Sequence, residues 1–460
     1  MRTKTLLITI QLFLLSLLSY AQYNVLLNFN DTNGAKPLYG SLTPSGKKLF
    51  GMTSNGGINN KGVIFSIDTN GGGYKDLFDF NGTTGEVPFS SLVLSGNKFY
   101  GMTYMGGMYG NGVIFSVDTN GNGYKDLFDF NGTNGFTPLG SLIIAGNKLY
   151  GLMWVAGTNS DGFVFCLDTN GNAFKDLFDF SGTNGVTPRG SLTLSGNKLY
   201  GMTSGGGANS DGLIFSIDTN GSGYKDLFDF NGLNGTNPWG SLTLSGNRLY
   251  GVTAQGGAIG DGVVFSIDTN GSGYKDLLDF DGVTNGKSPY GQPIISGNTL
   301  YGTTQYGGAN QDGLIYSIDT NGNGYRNLQD FSNAKGKYPL SPLTIAGNKL
   351  YGMTHWGGTD SLGVIFSLRD TTVTGTIELN KDMASIKLFP SPFSQNINIE
   401  VLGDGVTMIQ LFNVLGENAG TYKLDHGLNS INTSALPEGV YVARIQNKDA
   451  RISRKLIKVH

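Results

Sequence analysis

The chain has 460 residues, 73 of them glycine, with only 14% charged residues and a formal net charge of −3. That mild acidity gives no electrostatic reason to expect nucleic acid as a partner. A single cysteine, Cys166, excludes an internal disulfide framework.

The first segment reads as a secretory leader. "MRTKTLLITIQLFLLSLLSYA" has basic Arg2 and Lys4, an apolar run and a small residue at Ala21. Its loss, over residues 1–21, removes two positive charges. No later stretch is long and apolar enough to read as a membrane-spanning helix.

From residue 22 to 369 one unit of about 50 residues recurs. "FGMTSNGG" at Phe50 returns at Tyr100, Tyr150, Tyr200, Tyr250, Tyr301 and Tyr351, giving seven copies. Each unit predicts four short strands, of the types "GSLTLSG", "NKLYGMT", "DGLIFSID" and "YKDLFDF", parted by Gly, Asn and Pro clusters. Glu86 is the one glutamate of this region, and helix formers are scarce. Four strands repeated seven times predict a seven-bladed β-propeller. The fourth-strand segment follows the third only six times. Its seventh copy is "VLLNF", Val25 to Phe29, at the start of the mature chain. The first strand should therefore complete the last blade beside "GVIFSLR" and close the ring, leaving no free sheet edge. Cys166 stands where sibling units carry Ser66, Ser116, Ser216 and Ser266, which predicts a buried strand thiol.

The turn Asp118-Thr119-Asn120-Gly121-Asn122-Gly123 and its relatives have two readings. Oxygen side chains at alternate positions, with Asp126 and Asp129 downstream, echo a calcium loop. Asn-Gly between two alternating apolar runs is also a strong hairpin signal, and the third ligand position is never charged: Gly72, Asn122, Asn172, Ser222, Ser272 or Asn323. The turn reading is favoured, also because Asp126 and Asp129 lie in the fourth strand, whose alternating side chains cannot all turn back to the loop. No cofactor is expected, with calcium as the minor alternative.

Two connections barely change between units, "SGN" and "DTNG", and in a propeller they share one face. The other two vary. The loop after strand two carries Tyr104 and Met105, Trp154, Gln255, Tyr306, and His355 with Trp356. The loop entering strand one carries Tyr39, Phe89, Leu139, Arg189, Trp239, Tyr290 and Leu340. Aromatics that differ from blade to blade suggest a contact surface; the alternative is that they plug the channel mouth or pack between blades. Tyr104, Trp154, Arg189, Trp239, Tyr290, Tyr306, His355 and Trp356 are the candidate ligand-binding residues, for an extracellular polysaccharide or protein. Catalytic signals are few. Glu86 and the recurring Asp161, Asp211, Asp261 and Asp312 are the carboxylates of this face, and four of these precede Gly like turn residues. His355, with Tyr306 or Tyr109, could act as acid and base in a polysaccharide lyase or hydrolase. A purely structural surface protein is the third reading.

The stretch "NKLYGMTSGGGANSDGLIFSIDTNGSGYKDLFDFNGLNGTNPWGSL" resembles the GloVer-type bacterial extracellular tandem repeat, over about residues 24–369. The third unit departs from it, with Met153 for Thr and Ala156 for Gly. No firm activity follows from that resemblance.

After a linker, 370–385, the pattern changes. "IKLFPSPFSQNINIEV" from Ile386 opens a region of alternating strands that predicts a small β-sandwich of roughly seven strands, 386–460. It resembles the type A sorting domain of type IX secretion in Bacteroidetes. Pro390 and Pro392 lie in Phe389-Pro390-Ser391-Pro392, Gly439 and Tyr441 in "LPEGVY", and Lys455 and Lys458 in the basic ending. The resemblance implies the type IX machinery as a partner, export to the cell surface or medium, and removal of the tail. Asp370-Thr371-Thr372 also fits the O-glycosylation site of that phylum.

Overall fold

A computed structural model describes residues 22–370, 373, 386–389, 394–401, 407–413, 417–425, 427–446 and 451–458. The leader, most of the linker, Pro390 and Pro392 lie outside the described residues.

Seven four-stranded antiparallel sheets account for residues 22–369. The second blade is typical: Val93–Ser95, Lys98–Met102, Val113–Asp118 and Lys125–Asp129 in spatial and chain order. The last blade orders Gln22–Asn28 beside Val364–Arg369, then Lys349–Thr354, then Thr344–Ala346. Phe29 is fully buried in a core cluster with Leu49 and Phe65 of the first blade. The sequence expectation of seven blades closed by the N-terminal strand is met.

The innermost strands are shorter than predicted, only three residues each, as in Thr43–Ser45. The preceding Gly-Ser-Leu is not laddered. Its serine N–H groups turn to the neighbouring blade instead: Ser41 to Ser91 Oγ, Ser91 to Ser141 Oγ and Ser141 to Ser191 Oγ at 2.8 Å, then Ser191 to Ser241 Oγ at 2.7 Å. A Cβ on Gly140 would collide with the Gly190 carbonyl oxygen, so glycine permits this close approach. The repeated "GSL" is thus a hydrogen-bonded seam around the axis.

Farther out, aromatic stacking joins the blades. Tyr124 lies on Phe78 with centroids 4.4 Å apart, Phe174 on Phe128, Tyr224 on Phe178 and Tyr274 on Phe228, each at 4.2 Å, and all four pairs are within 8° of parallel. Each pair links one fourth strand to the next, which explains why "YKDLFDF" recurs. Cys166 is buried at 4% exposure in the core between the third and fourth blades, as expected of a strand thiol.

The tail forms two further sheets. One orders Ile386–Phe389, Asn396–Val401 and Gly427–Asn432; the other orders Asn418–Leu424, Thr407–Phe412, Gly439–Gln446 and Arg451–Lys458. Ile397, Ile399 and Ile431 of the first pack with Ile409, Leu411, Tyr441 and Leu456 of the second, giving the sandwich. Tyr441 is buried and donates its hydroxyl to the Pro437 carbonyl at 2.8 Å. Gly439 sits at φ +145°. Lys455 and Lys458 lie in the last strand, with Lys458 buried.

Candidate functional site

The two variable loops of each blade are tied together by a short antiparallel bridge. Glu86 pairs with Met105, Phe136 with Val155, Val186 with Gly205, Thr236 with Gln255, Lys287 with Tyr306 and Lys337 with Trp356. The last carboxylate or amide of the fourth strand anchors the same loop. Asp129 accepts the Met108 N–H at 2.6 Å, Asp229 that of Ala208 at 2.8 Å, and Asn28 in the closing strand that of Thr359 at 3.0 Å. These bonds fix a rigid platform whose side chains differ from blade to blade.

On that platform the residues entering strand one converge on the axis. Tyr39 of the first blade and Trp239 of the fifth are not neighbours in the ring, yet their rings lie 5.7 Å apart. Tyr39 also meets Phe89 edge-on at 5.7 Å, Phe89 stacks on Tyr104 at 4.6 Å, and Trp239 meets Tyr290 at 5.0 Å. Trp239 is held by its Nε1–H, which donates to Asn237 Oδ1 at 2.9 Å. The Arg189 guanidinium lies 3.9 Å from the Trp239 ring and 5.0 Å from that of Trp154. Beneath them a cavity of about 350 Å³ is lined by residues of all seven blades, including the seam serines. These side chains therefore narrow the channel mouth while leaving a chamber behind it.

The electrostatics of this mouth follow from its aromatic lining. Burial draws the Arg189 pKa down, opposed by the Tyr39 and Tyr290 phenols. Burial, with Tyr290 alongside, pushes Tyr39 up to about 12. No carboxylate acts on Arg189, and its Nε and the Trp154 Nε1 are buried without a hydrogen-bond partner. Five of the predicted residues, Tyr104, Trp154, Arg189, Trp239 and Tyr290, gain these placements from two different loops. Tyr39, Phe89 and the seam serines belong with them, and the sequence reading left them out of the candidate set. Their signal was the blade-to-blade variation of the first two and the constancy of the serines.

His355 and Trp356 form a separate group. Their rings meet edge-on at 5.2 Å, Lys36 Nζ lies 4.4 Å from the Trp356 ring, and His355 Nδ1 is 3.4 Å from the Pro37 carbonyl. Burial lowers the His355 pKa. Tyr306 packs on Tyr338 at 5.2 Å; Tyr109 is exposed. Glu86 is paired with Lys61. Asp312 pairs with Lys337 at 3.4 Å, Asp211 accepts from Thr236 Oγ1 at 2.8 Å, and Asp161 from the Gly182 N–H at 3.0 Å. These carboxylates tether one blade to the loop of the next.

The opposite face is built from self-contained turns. Asp118 Oδ1 receives Lys98 Nζ at 2.9 Å, the Asn122 N–H donates to Asn120 Oδ1 at 3.0 Å, and the Gly121 N–H closes on the Asp118 carbonyl at 2.9 Å. This is the geometry of the turn reading. One feature of the fourth strand lay outside that reading. Asp126 and Asp129 come together, because a β-bulge shifts the register between Ile114 and Phe115; the extra residue breaks strict alternation. Burial and the Asp129 carboxylate push Asp126 up to about 6, and Asp76, Asp176, Asp226 and Asp276 behave alike. The sixth blade replaces the first aspartate by Asn327, whose Nδ2–H donates to Asp330 Oδ1 at 3.0 Å. Among the described residues no cluster of three or more His, Cys, Asp or Glu side chains is placed to hold a metal.

Comparison with known proteins places this architecture. No curated protein matches the sequence. The extracellular domain of a hybrid two-component system from B. thetaiotaomicron is similar at 13% identity and a TM-score of 0.52, over 96% of this chain and 60% of that one. PorZ, a surface component of the type IX secretion system of Porphyromonas gingivalis, aligns at 13% identity and a TM-score of 0.45, over 92% and 60%. The chain thus spans 60% of the length of these two structures, and the first of them supports the propeller fold and nothing finer. Residues 387–459 match the secretion system C-terminal sorting domain. With that tail the protein is exported, to the cell surface or beyond it. No helix among the described residues is long and apolar enough to cross a membrane. The Gloeobacter/Verrucomicrobia repeat model matches residues 12–211 and 188–366, more than half of the chain, and the protein belongs to that repeat family.

Proposed function

We propose that this exported propeller is a non-catalytic binding protein that takes an extracellular polysaccharide or protein on its variable face. The observation that carries this reading is the mouth of the axial cavity. There Trp154, Trp239, Tyr39 and Tyr290 gather around a guanidinium with no ion-pair or hydrogen-bond partner among the described residues. Aromatic rings held on rigid, bridged loops lose little entropy on contact and offer flat apolar faces with polar tips. Tandem repeats also supply a control: positions needed only for the fold recur, as the seam serine does in five blades, whereas the position of Arg189 and Trp239 takes five different residue types in seven blades. A binding role needs no paired acid and base, and His355 rests against a backbone carbonyl.

The test is a glycan-array and calorimetric screen of the purified full chain beside a Trp154→Ala/Trp239→Ala/Trp356→Ala variant. The expected result is binding to at least one extracellular polymer that the folded variant loses. Equal binding by both proteins would remove the variable face from the reading.

A further inference from the structure

We infer that the axial mouth is a subsite for an acidic saccharide, with Arg189 as the group that takes its carboxylate or sulfate oxygens. This rests on the variable face being a binding surface and names the ligand class that face selects. The argument starts from the cost of the arginine. A half-buried guanidinium is disfavoured unless paired or hydrogen-bonded. Arg189 makes no ion pair and donates no hydrogen bond within the described residues; its contacts are the ring faces of Trp239 and Trp154. Cation–π contact offsets part of that cost and leaves the planar donor fork unused.

The fold does not ask for this charge. The equivalent residues of the other blades are Tyr39, Phe89, Leu139, Trp239, Tyr290 and Leu340, all uncharged. A second unanswered donor, Nε1, belongs to Trp154, whose ring centre lies 5.0 Å from the same guanidinium. A group that only accepts hydrogen bonds and carries negative charge answers both features, and an Arg fork matches a carboxylate or sulfate edge. A saccharide fits better than an acidic peptide. The variable loops already spend their backbone groups on the bridges within each blade, so no strand edge is offered for main-chain pairing. The ring faces of Trp239 and Tyr290 and the serine hydroxyls suit a sugar's flat face and its hydroxyl rim. The cavity, about 350 Å³, lies at the small end of ligand sites, about 300–1,000 Å³. It has room for the end of a chain and not for a folded segment.

The experiment is calorimetry on the full protein with three probes: alginate oligosaccharide for uronate, carrageenan oligosaccharide for sulfate ester, and laminari-oligosaccharide as the neutral control. At least one acidic probe should bind more tightly than the neutral one. Arg189→Met should weaken that acidic probe about tenfold or more, and by a larger factor than it changes the neutral probe; Arg189→Lys should fall between. Raising the salt should weaken the acidic probe in the native protein, an arm that holds even if Arg189→Met fails to fold. The inference is overturned if acidic probes bind no better than the neutral one, or if a folded Arg189→Met keeps full acidic affinity. Neutral binding lost only in the triple tryptophan variant would overturn the acidic subsite alone. Silence from all three probes overturns the subsite together with the glycan form of the broader reading.

Discussion

The two faces of the propeller are made from different connections, short turns on one and longer loops on the other, and they solve different problems. On the face of the "SGN" and "DTNG" turns the turn side chains bond within their own hairpin or blade, as Asp118 does with Lys98 and Asn120 with the Asn122 N–H, and bonds to the next blade go to its backbone, as from Lys125 Nζ to the Asn170 carbonyl at 3.1 Å. Nothing there depends on another blade's identity, so the same residues serve again and again. On the other face the backbone is just as well bonded, through the bridges and the fourth-strand aspartates. The side chains, however, reach past their own blade to the axis, and Tyr39 meets Trp239 across it. What is locally satisfied repeats; what reaches outward is free to differ. The unanswered Arg189 and Trp154 donors are found on the second face.

The largest expected effect lies between the faces. Phe228→Ala removes a ring stacked on Tyr274 at 4.2 Å and edge-on to Phe230 at 5.4 Å, at a cost of about 3 kcal/mol. Denaturant unfolding should show one shifted transition, and hydrogen exchange should rise on both faces together. Loosening confined to one face would break the picture of a shared frame.

A smaller effect is tied to pH. The folded-state pKa of Asp76, Asp126, Asp176, Asp226 and Asp276 is raised to about 6 from 3.8. The folded state therefore holds these protons more tightly than the unfolded chain. The resulting stability is complete below pH 3.8 and is lost as pH rises through about 6. These groups are half-exposed, so screening leaves on the order of 1 kcal/mol per pair. The melting temperature should be higher at pH 5 than at pH 8. Asp126→Asn, which copies the Asn327–Asp330 pair of the sixth blade, should flatten that dependence. An unchanged pH profile in the variant would show that the bulged pair does not share a proton.

The smallest effect sharpens the contrast within one loop. Ala156 sits at φ +106° where the sibling blades use glycine, such as Gly106 at +82° and Gly256 at +79°. Ala156→Gly should relieve strain and stabilise the protein by about 1 kcal/mol. A fall in melting temperature would mean that the third blade has reshaped its loop around the alanine.

Much of the fold was legible because the repeats act as their own alignment. Fifty-residue spacing, alternating strands and the stray "VLLNF" were enough to predict seven blades and their closure, since a fourth strand has one place to pair. The sorting tail was legible from Gly439, Tyr441 and the pattern of its strands. The partnership of Asp126 with Asp129 was not, because a bulge is a defect in alternation and alternation was the premise. Nor were the short inner strands, because the serine N–H groups just before them go to a blade 50 residues away.

The candidate site divides the same way. Sequence alone marked the variable loops and put Trp154, Arg189, Trp239 and Tyr290 among the residues to watch, because variation within a repeat is visible without structure. It did not say that these four come together while His355 and Trp356 stand apart with Lys36. That was decided by ring closure, which brings the first and fifth blades within 5.7 Å at the axis. Local propensity and spacing determine what each blade is. Only the closed ring, through contacts between residues about 200 positions apart in the chain, determines what the blades make jointly at their centre.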